Sequence, residues 1–103
     1  MFDGIIKKYS AKIIKENGEE YTYEFKDTPN FKEIYPQIHT DIIQLISLDK
    51  NLEMWIDEEG KLKDNKKINH KATLLWYNAL ERVIDDVIIG DVAIVERIED
   101  DEV

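Results

Sequence analysis

The chain has 103 residues, of which 43% are hydrophobic, and its 23 acids against 14 bases give a formal net charge of −9. That length supports one core rather than two, and such acidity argues against direct nucleic-acid binding, which needs a basic surface to neutralise phosphates. The absence of cysteine excludes disulfides, thiolate catalysis and zinc–sulfur sites.

The first predicted element is a hairpin, AKIIKENGEEYTYEF. Asn17-Gly18 suits a two-residue turn with positive φ. That register sets Ile14 opposite Tyr21 and Lys12 opposite Tyr23, puts Tyr21, Tyr23 and Phe25 on one face, and lets Lys15 reach Glu20 on the other. The first eight residues either extend this strand or fray. Thr28 and Pro29 then open a short helix, with Phe31, Ile34, Tyr35 and Ile38 as its buried stripe. Pro36 should end or kink it.

The second hairpin joins DIIQLISL to NLEMWIDEE around Asp49-Lys50-Asn51. Leu52, Met54 and Ile56 share one face, and Trp55 falls on the other with Glu53 and Asp57. Trp55 is therefore read as a partly covered surface aromatic or as a binding anchor. The clearest helix is NHKATLLWYNALERV, with Asn69 as its N-cap. Ala72, Leu75, Trp76, Ala79, Leu80 and Val83 should face a sheet, and Thr73, Tyr77 and Glu81 the other way. DVIIGDVAIVERI reads as a central strand, apolar on both sides, in which Gly90 marks a bulge or a close backbone approach. The end EDDEV should fray. The sum is one α+β domain of ββαββαβ order, a mainly antiparallel sheet with two helices packed on it and a core spanning about residues 9–98.

Little in this chain points to catalysis. His39 and His70 have no ligand-spaced partner, so no metal or cofactor is expected. Ser10 and Ser47 lie in strands without a nucleophile elbow, and no glycine-rich phosphate loop occurs. Asp57, Glu58 and Glu59, like Asp85, Asp86 and Asp91, read as solvated acids at element ends rather than a catalytic pair. Lys61, Lys63, Lys66, Lys67 and Lys71 surround Asn69 at a helix start, which is either a solvated loop or an anion-binding site.

The run DEEGKL, then Asn69 with Ala72-Thr73-Leu74, then DVIIGDVAIV, resembles a small domain family of unknown function found in phages, plasmids and integrated elements, chiefly of Gram-positive bacteria. The resemblance covers Tyr9 to Ile98 and rests on Asp57, Glu59, Gly60, Asn69, Ala72, Thr73, Gly90 and Asp91. Gln37-Ile38-His39 stands where the family often has glycines, and the loop before Asn69 is unusually basic. The resemblance implies a mobile-element setting and no particular activity.

Within that setting the reading is a non-enzymatic accessory protein, a counter-defence or host-modulating inhibitor that binds a basic, nucleic-acid-binding surface of a host protein. Its contact acids would be Asp57, Glu58, Glu59, Glu96, Glu99, Asp100, Asp101 and Glu102, with Trp55 as anchor. The alternative is capture of a nucleotide or other small anion by the lysine-rich loop, and a third reading is self-association through a sheet edge. No apolar run approaches the ~18 residues that span a bilayer and the start lacks a signal peptide. The host cytoplasm is therefore the expected compartment, with no membrane contact.

Overall fold

The computed structural model describes residues 9–96. Its elements keep the expected order: β1 (Ser10–Ile14), β2 (Glu20–Glu24), α1 (Phe31–Ile34), β3 (Ile43–Asp49), β4 (Leu52–Asp57), a 3-10 turn (Gly60–Leu62), α2 (His70–Leu80) and β5 (Val92–Glu96). The strands form one sheet in the order β2-β1-β5-β4-β3, antiparallel at every pairing. β5 is thus the central strand and, among the described residues, it alone joins the two hairpins within the sheet.

Both faces of this sheet are covered. Ala11, Ile13, Phe25, Trp55, Ala93 and Val95 meet Ile34 and Ile38 of the α1 region on one side. Ile14, Met54 and Val92 meet Ala72 of α2 and Ile88 on the other. Alternate residues of β1, β4 and β5 therefore feed opposite cores, as the period of two along a strand requires. This decides the place of Trp55. It is neither a surface aromatic nor an anchor: it is 4% exposed and stacks edge-on against Phe31 with ring centroids 4.7 Å apart. Its indole N–H donates to Glu53 Oε1 at 3.1 Å, which satisfies the one polar atom the ring carries.

The first hairpin differs from expectation by one residue. Gly18 N–H donates to the Lys15 carbonyl, Lys15 N–H donates to the Glu19 carbonyl, and within this loop Gly18 alone has positive φ, at 95°. This is a three-residue loop, a turn followed by a left-handed glycine. The register becomes Ile13↔Tyr21 and Ala11↔Tyr23, and Lys15 lies near Glu19 while Glu20 pairs with Lys12. A slip of one residue exchanges faces, so the tyrosines project over the α1 core. There Tyr23 and Tyr21 hydroxyls donate to Glu33 Oε1 and Gln37 Oε1, each at 2.7 Å.

The helices are shorter than their sequence patterns. Asn30, not Thr28, caps α1, accepting from Lys32 N–H. The helix proper stops at Ile34, just before Pro36, which has no N–H to continue it. Asn69 caps α2 as expected, but Glu81 turns left-handed at φ 60° and closes it. Val83 is consequently 80% exposed. The buried side of α2 is Ala72 and Thr73, whereas Leu75 and Leu80 are each 38% exposed. The helix is rolled toward Thr73, whose hydroxyl bonds inward to the Asn69 carbonyl and the Ile88 N–H.

Candidate functional site

The lysine-rich loop, the start of α2 and the approach to β5 meet at one end of the sheet. Asn69 is fully buried there, and every polar atom of it has a partner. Its Nδ2 donates to the carbonyls of Ile14 and Gly90, both at 2.9 Å, and its Oδ1 accepts from Ala72 N–H at 3.0 Å. Its own N–H donates to the Ile88 carbonyl. Thr73 Oγ1 donates to the Asn69 carbonyl at 2.8 Å and accepts from Ile88 N–H at 2.9 Å. Together these bonds fix β1, α2 and the segment before β5 in one place. That segment does not belong to the sheet, as the sequence pattern suggested; it pairs with the loop through an Ile68↔Ile89 bridge. Gly90 turns it into β5 at φ 85°, and a Cβ on Gly90 would lie 3.0 Å from Lys66 Cδ.

A second buried group sits beside it. The Asp57 side chain has no solvent exposure, and its Oδ2 accepts from Lys63 Nζ at 2.8 Å and Lys66 Nζ at 2.7 Å. Oδ1 accepts from Thr40 Oγ1 and from Glu59 N–H. Burial opposes ionisation of Asp57, but the two ammoniums, the hydroxyl and the amide outweigh it and hold its carboxyl well below the usual carboxylate range. The same contact raises the Lys63 ammonium above its ordinary value. Lys66 Nζ also donates to the carbonyls of Ile38 and His39, so its three protons each have an acceptor. The surface-contact role expected of Asp57 fails here, because its carboxylate is enclosed and four times bonded.

The other lysines divide similarly. Lys61 pairs with Asp86, whose carboxyl is lowered by that ammonium and by the Val87 N–H. Lys71 bonds the Gly18 carbonyl and Glu20 Oε2. Lys67 is exposed and contributes its backbone N–H to Glu16 Oε1. Asn69 Oδ1 already occupies the helix N-terminus. The five lysines therefore do not converge on a common anion site. Among the described residues no group of three or more His, Cys, Asp or Glu is placed to hold a metal. The one imidazole near a buried acid is His39, left-handed at φ 60° and 3.4 Å from Asp91 Oδ2.

The predicted contact acids do not form one group. Glu58 and Glu59 are exposed at the lysine end of the sheet and Glu96 at the opposite end. The register Leu52↔Glu96 places Glu96 five residues of β4, about 17 Å, from Asp57. Glu99, Asp100, Asp101 and Glu102 lie outside the described residues. What the structure adds is Glu24. Ser10 pairs with Glu24 on β2, and extending the Ala11↔Val95 register by one residue sets Ser10 level with Glu96 on β5. The two glutamates thus flank Ser10 on one face, about 10 Å apart across two strand spacings. Lys12, the cation next along β1, is drawn the other way, to Glu20 at 3.0 Å. No local pattern around Glu24 signals this; it follows only from the register of three strands.

A family model described as a domain of unknown function, DUF3846, matches residues 10–103. The chain belongs to that family. No curated protein and no solved structure matches it. In this DUF3846 domain the positions that carried the resemblance are chiefly the two buried groups and their neighbours. Asn69, Ala72, Thr73 and Gly90 make the polar joint, and Glu59 supplies an amide to Asp57. Asp91 Oδ1 accepts from Glu16 N–H and so holds the first hairpin's turn. Gly60 passes so near β5's approach that a Cβ there would meet the Ile89 carbonyl at 3.2 Å. Their common property is to fix the fold.

Proposed function

We propose that this DUF3846 protein is a non-enzymatic binding protein whose acidic sheet end docks on a basic surface of a host protein. The observation that carries the reading is the pairing of its loop lysines within the chain. Lys61, Lys63, Lys66 and Lys71 are each paired with acids of the same chain, so the net charge of −9 is left to groups elsewhere. Glu24 and Glu96 are exposed at the end opposite those lysines, and the acids Glu99 to Glu102 follow Glu96 in the chain. A surface of that sign favours encounter with basic patches, including those evolved to hold nucleic acid. A counter-defence or host-modulating role is the setting that the resemblance to mobile-element proteins suggests for such binding.

The test is affinity capture from host extract with the whole chain and with a Glu24→Gln/Glu96→Gln variant. Raising salt from 0.1 to 1 M shortens the Debye length from about 10 Å to about 3 Å, so the retained partner should be released, and duplex DNA should compete for it. The variant should retain less partner while melting at the wild-type temperature, since both positions are exposed. Retention indifferent to salt, DNA and both substitutions would refute the reading.

A further inference from the structure

The two edges of the sheet are built differently. β2, the sequence EYTYE, has a glutamate at each end, a common guard against strand addition. β3 ends the sheet on the other side; between Asp41 and Asp49 it reads IIQLISL, a longer run with no charge and no proline, and its ladder with β4 shifts register only after Ser47. Ile42 and Leu45 on it are 38% and 46% exposed. Ile42 accepts from Glu58 N–H, which continues the β3–β4 register. By the alternation of antiparallel ladders, Gln44 and Ile46 direct their backbone groups at β4, while Ile43, Leu45 and Ser47 direct theirs outward. Among the described residues nothing pairs with that outer ladder. It is seven uncharged, β-prone residues with a free set of donors and acceptors.

We infer that β3 pairs antiparallel with β3 of a second copy, joining two sheets into one of ten strands. Charge and side-chain matching select this occupant and its register. With the two-fold axis at Gln44, Ile43 lies opposite Leu45 and Ile42 opposite Ile46. The two Gln44 amides meet each other, and Asp41 meets Ser47. With the axis one residue further on, at Leu45, Asp41 would oppose Asp49, a like-charge pair that disfavours it. The Gln44 register also makes Ile43 and Leu45 a hydrogen-bonded pair, as their outward groups require. Because the contact uses the same strand twice it closes as a dimer, whereas β3 on β2 would propagate as a filament.

The chain has no cysteine, so a single introduced thiol reports only contact between copies. At a non-hydrogen-bonded pair the Cα atoms lie about 4.5 Å apart, within disulfide reach. Gln44→Cys should therefore form a covalent dimer under mild oxidation, and Thr22→Cys on the β2 edge should not. Sedimentation of the wild-type chain across about 1 to 100 µM should approach twice the 12.2 kDa chain mass. Leu45→Lys, which places a charge in the ladder, should return it to a monomer with an unchanged circular dichroism spectrum. Equal cross-linking at Thr22→Cys, or a Leu45→Lys chain that still dimerises, would overturn the β3 contact. A wild-type chain monomeric at every concentration would overturn it too.

Discussion

Replacing Asn69 with Ala tests the polar joint directly. The substitution removes one helix cap, worth about 0.5–2 kcal/mol. It also strips the side-chain donor from two carbonyls, Ile14 and Gly90; Ile14 keeps its ladder place opposite Val92, and a buried acceptor left unpaired, as at Gly90, costs about 1–3 kcal/mol. These terms share one site and are not additive, so we expect a loss of about 3–5 kcal/mol. In a domain of this size that lowers the melting midpoint by roughly 15 °C or more. Asn69→Ser separates the terms: it keeps a cap and loses both carbonyl bonds, so it should fall between Asn and Ala. Asn69→Asp keeps the cap but sets a carboxylate against two carbonyls, and should be no more stable than Ala. Urea unfolding followed by circular dichroism measures all four. A serine variant as stable as wild type, or an alanine variant within about 1 kcal/mol of it, would refute the assignment of stability to the carbonyl bonds.

Asp57→Asn should cost about 3 kcal/mol or more near neutral pH, because Lys66, its side chain 7% exposed, loses its counter-charge. The folded Asp57 carboxyl is depressed below its unfolded value, so its contribution is complete above about pH 5 and declines as pH falls through about 3.9 toward the folded value. Stability measured from pH 5 to pH 3 should therefore fall less steeply in the variant than in wild type. Trp55→Ala should cost about 3–5 kcal/mol through burial lost and cavity left, whereas Leu75→Ala, 38% exposed, should cost less than about 1 kcal/mol; thermal melts that reverse this order would contradict the placement of the two cores.

The element order, the Asn69 cap and the central position of β5 were legible because each has a local cause: alternation, a capping side chain, a strand apolar on both sides. The misreadings arose where the cause is remote. Asn17-Gly18 announces a turn, but its length depends on Lys15 N–H finding the Glu19 carbonyl, and one residue of slip moves three aromatics to another face. Trp55 follows Glu53 and precedes Asp57, which suggests a wet face. The α1 region covers that face, and both acids turn out to have inward partners. The roll of α2 is set by Thr73 bonding Ile88 fifteen positions away, against a leucine pattern that taken alone points elsewhere. The ion pairs of the lysine run were not legible because its counter-charges, Asp57, Asp86 and Glu20, are scattered through the sequence.

The placement of β5 also bears on how the chain is assembled. The two hairpins are each local and can form as they are made, but their strands do not pair with each other; β5 pairs with β1 on one side and β4 on the other. Until it emerges, β1 and β4 both present bare inner edges, and afterwards residues as distant as Ala11 and Val95 must register at once. Closing so long a loop before any contact rewards it makes folding slow relative to hairpin formation. A chain made only as far as β4 therefore lacks the strand that joins its two half-sheets, and their open inner edges are the kind of surface on which strands of neighbouring chains can pair.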